Sequence, residues 1–242
     1  MISDKGLDGC LEQMPALVRI DDYQMERMLI GETCFNSSKP SHRDVTWKQL
    51  VHFSACHCVN DVLSENSGEE LDLRLNKAAN RRWSNRHYRF HSSEHYLQVR
   101  CMVMDHLLAF LQMHPLKNVM VLFEQMTAYI EELDMEMVQN FHIVAFDGGD
   151  ASEHYNVQKY VVEEGEEALE LYARMTTLFC MSAFGRLPVQ IEAFSLLSGK
   201  RYAWAPNYRF WRESLDYMAL IKSLLPNPIS ASNPIDETLY SH

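Results

Sequence analysis

Apolar side chains run almost unbroken from Glu94 to Met113: Tyr96, Leu97, Val99, Met102, Val103, Met104, Leu107, Leu108, Phe110 and Leu111. The polar breaks Gln98, Asp105 and Gln112 fall seven residues apart, so on a helix they share one narrow stripe. This pattern predicts a central core helix with most of its circumference buried. The run approaches the length of a membrane span, but Arg100, Asp105 and His106 within it argue against one, since charge at bilayer depth is costly. His114-Pro115 ends it, because proline disfavours helix in the residue before it. From Asn118 to Val138, the residues Val119, Leu122, Phe123, Met126, Ile130, Leu133 and Met137 recur at spacings near three and four, with Glu124, Glu131, Glu132, Asp134 and Glu136 between them. That periodicity predicts a second, amphipathic helix lying antiparallel to the first. Phe141–Phe146 is short and β-rich and reads as a buried strand.

The flanking segments are plainer. A short helix is expected from Asp22 to Ile30, with Gly31 as its stop, followed by a loop at 36–41. Thr46–Glu65 reads as a helix with Trp47, Val51, Ala55, Cys58 and Val62 on one face. His154–Val162 is a second strand, antiparallel to the first, and Glu163–Glu167 opens a helix that Gly185 ends. Pro188–Phe194 alternates apolar and polar, and Ser198-Gly199 reads as a two-residue turn into the strand Lys200–Trp204. Arg209–Leu225 closes the pattern with a helix that Pro226-Asn227-Pro228 stops.

Together these elements predict an α+β fold. The N-terminal half is mostly helical around the central apolar helix. The C-terminal half is a β-β-α-β-β-α unit with a four-stranded antiparallel sheet. Residues 1–228 are expected to form one compact domain. A subdivision into a helical segment, residues 1–138, and an α+β segment, residues 139–228, is possible, and 229–242 reads as a loose tail.

Charge refines this picture. The chain has 22 basic and 33 acidic residues, which is not the balance of a dedicated nucleic-acid binder. Its distribution is uneven: Arg74–Arg100 holds seven basic residues and one acid, whereas Glu124–Glu170 holds thirteen acids and one lysine. Such separation points to different partners for the two regions, to docking of one on the other, or simply to solvated faces. The six cysteines are scattered without a CxxC pair, and Met1-Ile2-Ser3 begins no signal peptide, so a reduced, cytoplasmic protein is expected.

Candidate chemistry sits in three places. Arg81, Arg82, Arg86 and Arg89 interleave with Trp83, Tyr88 and Phe90, and Lys200, Arg201, Arg209 and Arg212 form a second basic-aromatic cluster; such sets can clamp phosphates and stack planar groups. His91, Glu94 and His95 match the H-x-x-E-H pattern of one class of zinc peptidases, with Glu163, Glu166 and Glu170 as conceivable further ligands. That pattern requires a continuous helix from His91, whereas Ser92-Ser93 looks like a helix cap. His52 and Cys56 are one helical turn apart and could meet a common ligand, with no third ligand in view. Asp147-Gly148-Gly149-Asp150 reads as a turn.

No P-loop, G-x-S-x-G elbow or dinucleotide fingerprint occurs. The favoured expectation is therefore a non-catalytic binding or regulatory protein working through protein–protein contacts. A protein partner or self-association ranks ahead of nucleic acid, and no membrane is involved. Anion, nucleotide or nucleic-acid binding through the arginine-aromatic clusters is the second reading, and a zinc-dependent hydrolase the third. The sequence identifies no cofactor and no small-molecule ligand.

Overall fold

The structure, a computed structural model, describes residues 18–22, 25, 45–65, 68–113, 118–146 and 154–224. Its frame is a six-stranded mixed sheet: β1 (Val18–Asp21), β2 (Val119–Ile130), β3 (Met135–Phe146), β4 (Tyr155–Val161), β5 (Gln190–Ser195) and β6 (Arg201–Trp204). The helices are α1 (Trp47–Ser64), α2 (Leu71–Arg82), α3 (Ser93–Met113), α4 (Glu166–Phe184) and α5 (Tyr208–Leu224). An α+β class is borne out. The four-stranded antiparallel sheet is not, because β1 pairs with β3 and β4 pairs with β5 in parallel. The second parallel pair follows from connectivity: α4 carries the chain from β4 back to the same end of the sheet, and a helical crossover makes its two strands parallel.

The largest correction falls on Asn118–Val138. The expected helix is instead β2 and the first third of β3, joined by a short turn. The spacing of three and four was coincidental. β3 is buried on both faces, which removes the two-residue alternation that betrays a strand, and β2 is an edge strand rich in Val, Phe, Thr, Tyr and Ile. The turn is built locally. Asp134 takes a left-handed φ of 44°, which aspartate tolerates better than most residues, and its carboxylate accepts the Tyr129 hydroxyl at 2.7 Å. Lys222 on α5 then donates to the carbonyls of Leu133 and Asp134. The N-terminal half is accordingly less helical than expected, since β1 also lies there.

The central helix is corrected as well. α3 spans the expected residues, but it buries a single stripe, Val99, Val103, Leu107, Phe110 and Leu111. It lies with α1 and α2 on one face of the sheet, where Phe110 stacks on Phe194 of β5 with ring centroids 4.3 Å apart. α4 and α5 cover the other face, packing on Met137, Phe141, Val144, Val157 and Ile191. Full burial of each such side chain contributes roughly 1.5–3 kcal/mol, so each face has its own apolar core.

α1, β4, α4 and α5 fall where expected, whereas α2 forms at Leu71–Arg82, where the pattern predicts no element. Thr46 caps α1 in a reciprocal capping box with Gln49, and Gly185 closes α4 with φ 69°. The β5–β6 hairpin forms, but its loop is Leu196–Gly199, longer than the two-residue turn expected, with Ser195 N–H donating to the Lys200 carbonyl. Gly199 is required there: its φ is 69°, and a Cβ would sit 3.0 Å from the His106 ring of α3. The loop at 36–41, the turn at 147–150, the tail at 229–242 and most of the helix expected at 22–30 lie outside the described residues. Residue 138, the possible boundary between two subdomains, falls inside β3.

Candidate functional site

One edge of β3 is shared by two strands. β1 pairs with Met135–Val138 and β4 with Ile143–Phe146, which leaves residues 139–142 between them. β1 runs parallel to β3 and β4 antiparallel, so their C-terminal ends face one another across this gap. Beyond Gln158, β4 stays with β5 and leaves β3. Backbone groups stranded by the split must find side-chain partners, because burying them unpaired is costly. Asn140 N–H donates to the Asp22 carboxylate at 3.1 Å. Tyr160 N–H donates to His142 Nδ1 at 3.0 Å, and His52 Nε2 lies 3.1 Å from the Tyr160 carbonyl.

The two imidazoles meet the Cys56 thiol. Cys56 Sγ lies 3.8 Å from His52 Nε2 and 4.0 Å from His142 Nδ1. Among the described residues, these are the three metal-ligating side chains whose ligand atoms all lie within 4.8 Å of one another. α1 supplies His52 and Cys56 from adjacent turns of one face, and β3 supplies His142. Phe123 stands across from His142, between the pairs Leu122↔Ile143 and Glu124↔Phe141. Its φ is +50°, a strained value for a bulky residue, and it brings its ring to 5.3 Å from the His142 ring.

Protonation at the cluster follows from its partners. His142 Nδ1 accepts a backbone N–H, so the ring is neutral with its proton on Nε2. Burial, with the nearby His52 and Lys159, holds its pKa well below the ordinary histidine value. A carbonyl can only accept, so His52 Nε2 carries a proton toward Tyr160. Burial pushes the Cys56 thiol far above its usual range. A protonated thiol beside an imidazole nitrogen already donating elsewhere is not an activated nucleophile.

On the opposite face of the split, Lys159 Nζ lies 3.8 Å from the Asp22 carboxylate and 4.7 Å above the Tyr172 ring of α4. Both charges are buried.

The basic-aromatic residues are largely engaged within the chain. Arg81 reaches Glu65 at 2.7 Å and Asp61 at 3.3 Å. Arg82 forks onto Asp61 through Nε at 2.9 Å and Nη2 at 3.0 Å. Arg201 pairs with the buried Glu192, Arg209 with Glu213 at 2.8 Å, and Lys200 lies 3.9 Å from Glu164. Arg89 lies 5.6 Å from the Tyr88 ring centroid, while Arg86 and Arg212 are exposed.

In the H-x-x-E-H segment, α3 begins at Ser93 and Ser92 Oγ accepts His95 N–H at 3.0 Å, so His91 lies outside the helix. The His91 and His95 rings nevertheless lie 4.8 Å apart, both against Trp47. Glu94 accepts from Gln98 at 3.3 Å, Glu163 pairs with Lys48, and Glu170 with Arg174 at 2.7 Å.

His142 is the residue that sequence reasoning missed. It follows His52 by 90 positions inside a run otherwise read as an apolar strand. A lone imidazole in such a run was the available signal.

α3 presents a second apolar stripe away from the sheet. Leu97 and Cys101 are exposed, and Met104 and Leu108, half-buried, flank the core, at spacings of four, three and four; Met102 and Met113 are exposed on another side of the helix. Among the described residues, no helix is long and apolar enough to cross a membrane. The chain matches no protein-family model and has no significant similarity to a curated protein.

Proposed function

We propose that this protein is a non-catalytic binding protein that works through protein–protein contact on the outward stripe of α3. One observation carries the reading. α3 bears two apolar stripes, and the sheet covers one of them, leaving Leu97 55 % exposed and Cys101 exposed one turn further along the other. A contiguous outward apolar patch of this kind marks an interaction surface more often than an isolated exposed leucine does.

The occupant we favour is α3 of a second copy. A stripe with four-three-four spacing packs against its own two-fold image, which is how isologous helix pairs form. Two further features support contact over the alternatives. Arg81, Arg82, Arg201 and Arg209 already hold carboxylates of their own chain, which weakens a polyanion site. The Cys56–His52 pair is not poised for nucleophilic attack.

Sedimentation over a range of protein concentrations tests this directly. A reversible dimer is expected, and Leu97→Glu should return it to monomer without loss of helical signal. A chain that stays monomeric at the highest concentrations, or a dimer indifferent to Leu97→Glu, overturns the reading.

A further inference from the structure

We propose that His52 Nε2, Cys56 Sγ and His142 Nδ1 form a binding site for a divalent transition-metal ion of the zinc class. The distances carry the argument. Zinc sits about 2.3 Å from a thiolate and about 2.0–2.1 Å from an imidazole nitrogen, which places tetrahedral S and N ligands about 3.6 Å apart. The observed separations are 3.8 Å and 4.0 Å. The sulfur must close on each nitrogen by a few tenths of an ångström, and the two ring nitrogens, within 4.8 Å of one another, must close to about 3.4 Å to share one ion.

The donor set selects the metal. Two imidazoles and a thiolate suit zinc and its neighbours, and disfavour calcium and magnesium, which prefer oxygen. Placement is equally suited. His52 and Cys56 project from adjacent turns of α1, and His142 comes from β3, so two regular elements hold the ligands. Without an ion, the Tyr160 N–H and carbonyl occupy these same two ring nitrogens, and binding exchanges those hydrogen bonds for bonds to the metal.

Binding balances simply. The Cys56 thiol gives up its proton to solvent and its sulfur bonds the metal as thiolate. His52 moves its ring proton from Nε2 to Nδ1, freeing the Nε2 lone pair. His142 turns its Nδ1 lone pair from Tyr160 N–H to the ion. Three protein ligands leave a fourth position for water or a small anion, since no fourth ligand joins the cluster among the described residues.

Cobalt(II) alone is the probe, added to the reduced, chelator-treated full chain. One equivalent should bind, with visible ligand-field bands of a tetrahedral site and a near-ultraviolet thiolate-to-cobalt charge-transfer band, both erased by added zinc. Cys56→Ser should abolish the charge-transfer band. His52→Gln, at a half-buried position, should weaken binding by about tenfold or more, since even outer-shell losses reach that size. Cys101→Ser, at an exposed thiol on α3, should change neither. Absence of the charge-transfer band in the parent, or its survival in Cys56→Ser, overturns the site. Should Cys56→Ser fail to fold by circular dichroism, unaltered cobalt affinity in His52→Gln does the same.

Discussion

α3 and α4 lie on opposite faces of one sheet and are nearly equal in length and apolar content, yet ten of the 19 residues of α4 are buried against five of the 21 of α3. The difference is in what lies outside each helix. α4 packs between the sheet and α5, whose Phe210 and Tyr217 rings flank Arg174 at 5.1 Å each. α3 touches the sheet along one stripe and shares its layer with α1 and α2. The comparison shows that apolar content sets how much surface a helix can bury, whereas its neighbours decide how much it does bury. Surplus apolar surface is then available for contact outside the fold, as on α3.

The sharpest way to break this comparison is to truncate one large apolar side chain on each helix. Phe179→Ala on α4 removes a fully buried ring that meets Phe141 at 4.9 Å, and should cost about 3–5 kcal/mol in urea unfolding. Leu97→Ala on α3 should stay within about 0.5 kcal/mol. Equal losses would mean that α3 is as integral to the core as α4.

Next in size is the buried ion pair beneath α4. Lys159→Met removes a cation from beside the buried Asp22 carboxylate and should cost about 3–5 kcal/mol, since breaking one side of a buried ion pair is strongly destabilising. A loss below about 1 kcal/mol would place this pair among ordinary surface bridges.

A smaller, pH-dependent effect sits where the loop before α4 grips the β5–β6 hairpin. Glu164 accepts from Ser195, Ser198 and Tyr202, and these hydrogen bonds, with Lys200 nearby, draw its pKa down from 4.5 to about 2. The folded pKa lies below the unfolded one. Its contribution is therefore complete above about pH 4.5 and is lost as the pH falls toward 2. Glu164→Gln should lower the melting temperature at pH 7 and flatten its acid limb between those values. An acid limb as steep as the parent's would remove Glu164 from the account. The hairpin also seats against α3, where His106 Nδ1 lies 3.0 Å from the Leu196 carbonyl, so this variant probes the α3 face from its far end.

Much of the chain's local structure was legible from the sequence. The capped start of α1 at Thr46, the acids that open α4, the glycine that ends it and the β5–β6 hairpin all rest on interactions within a few residues. Two of the three residues of the His52–Cys56–His142 cluster were legible in the same way, because His52 and Cys56 are one helical turn apart. The segment Val119–Val138 was not. Its last four residues belong to β3, which is covered on both faces and has no alternation to read, and in the edge strand β2 the register shift near Val119–Val121 and the positive φ of Phe123 interrupt the alternation.

The sequence alone determined the α+β class, the places where most elements start and stop, and the apolar excess of 94–113. Only the tertiary structure decided that α4 rather than α3 is the more deeply buried helix, that β4 and β5 run parallel, and that His142 joins His52 and Cys56. Each of those outcomes depends on groups far apart in the chain meeting across a split sheet. No local preference encodes such a meeting, because it is set by how whole layers pack.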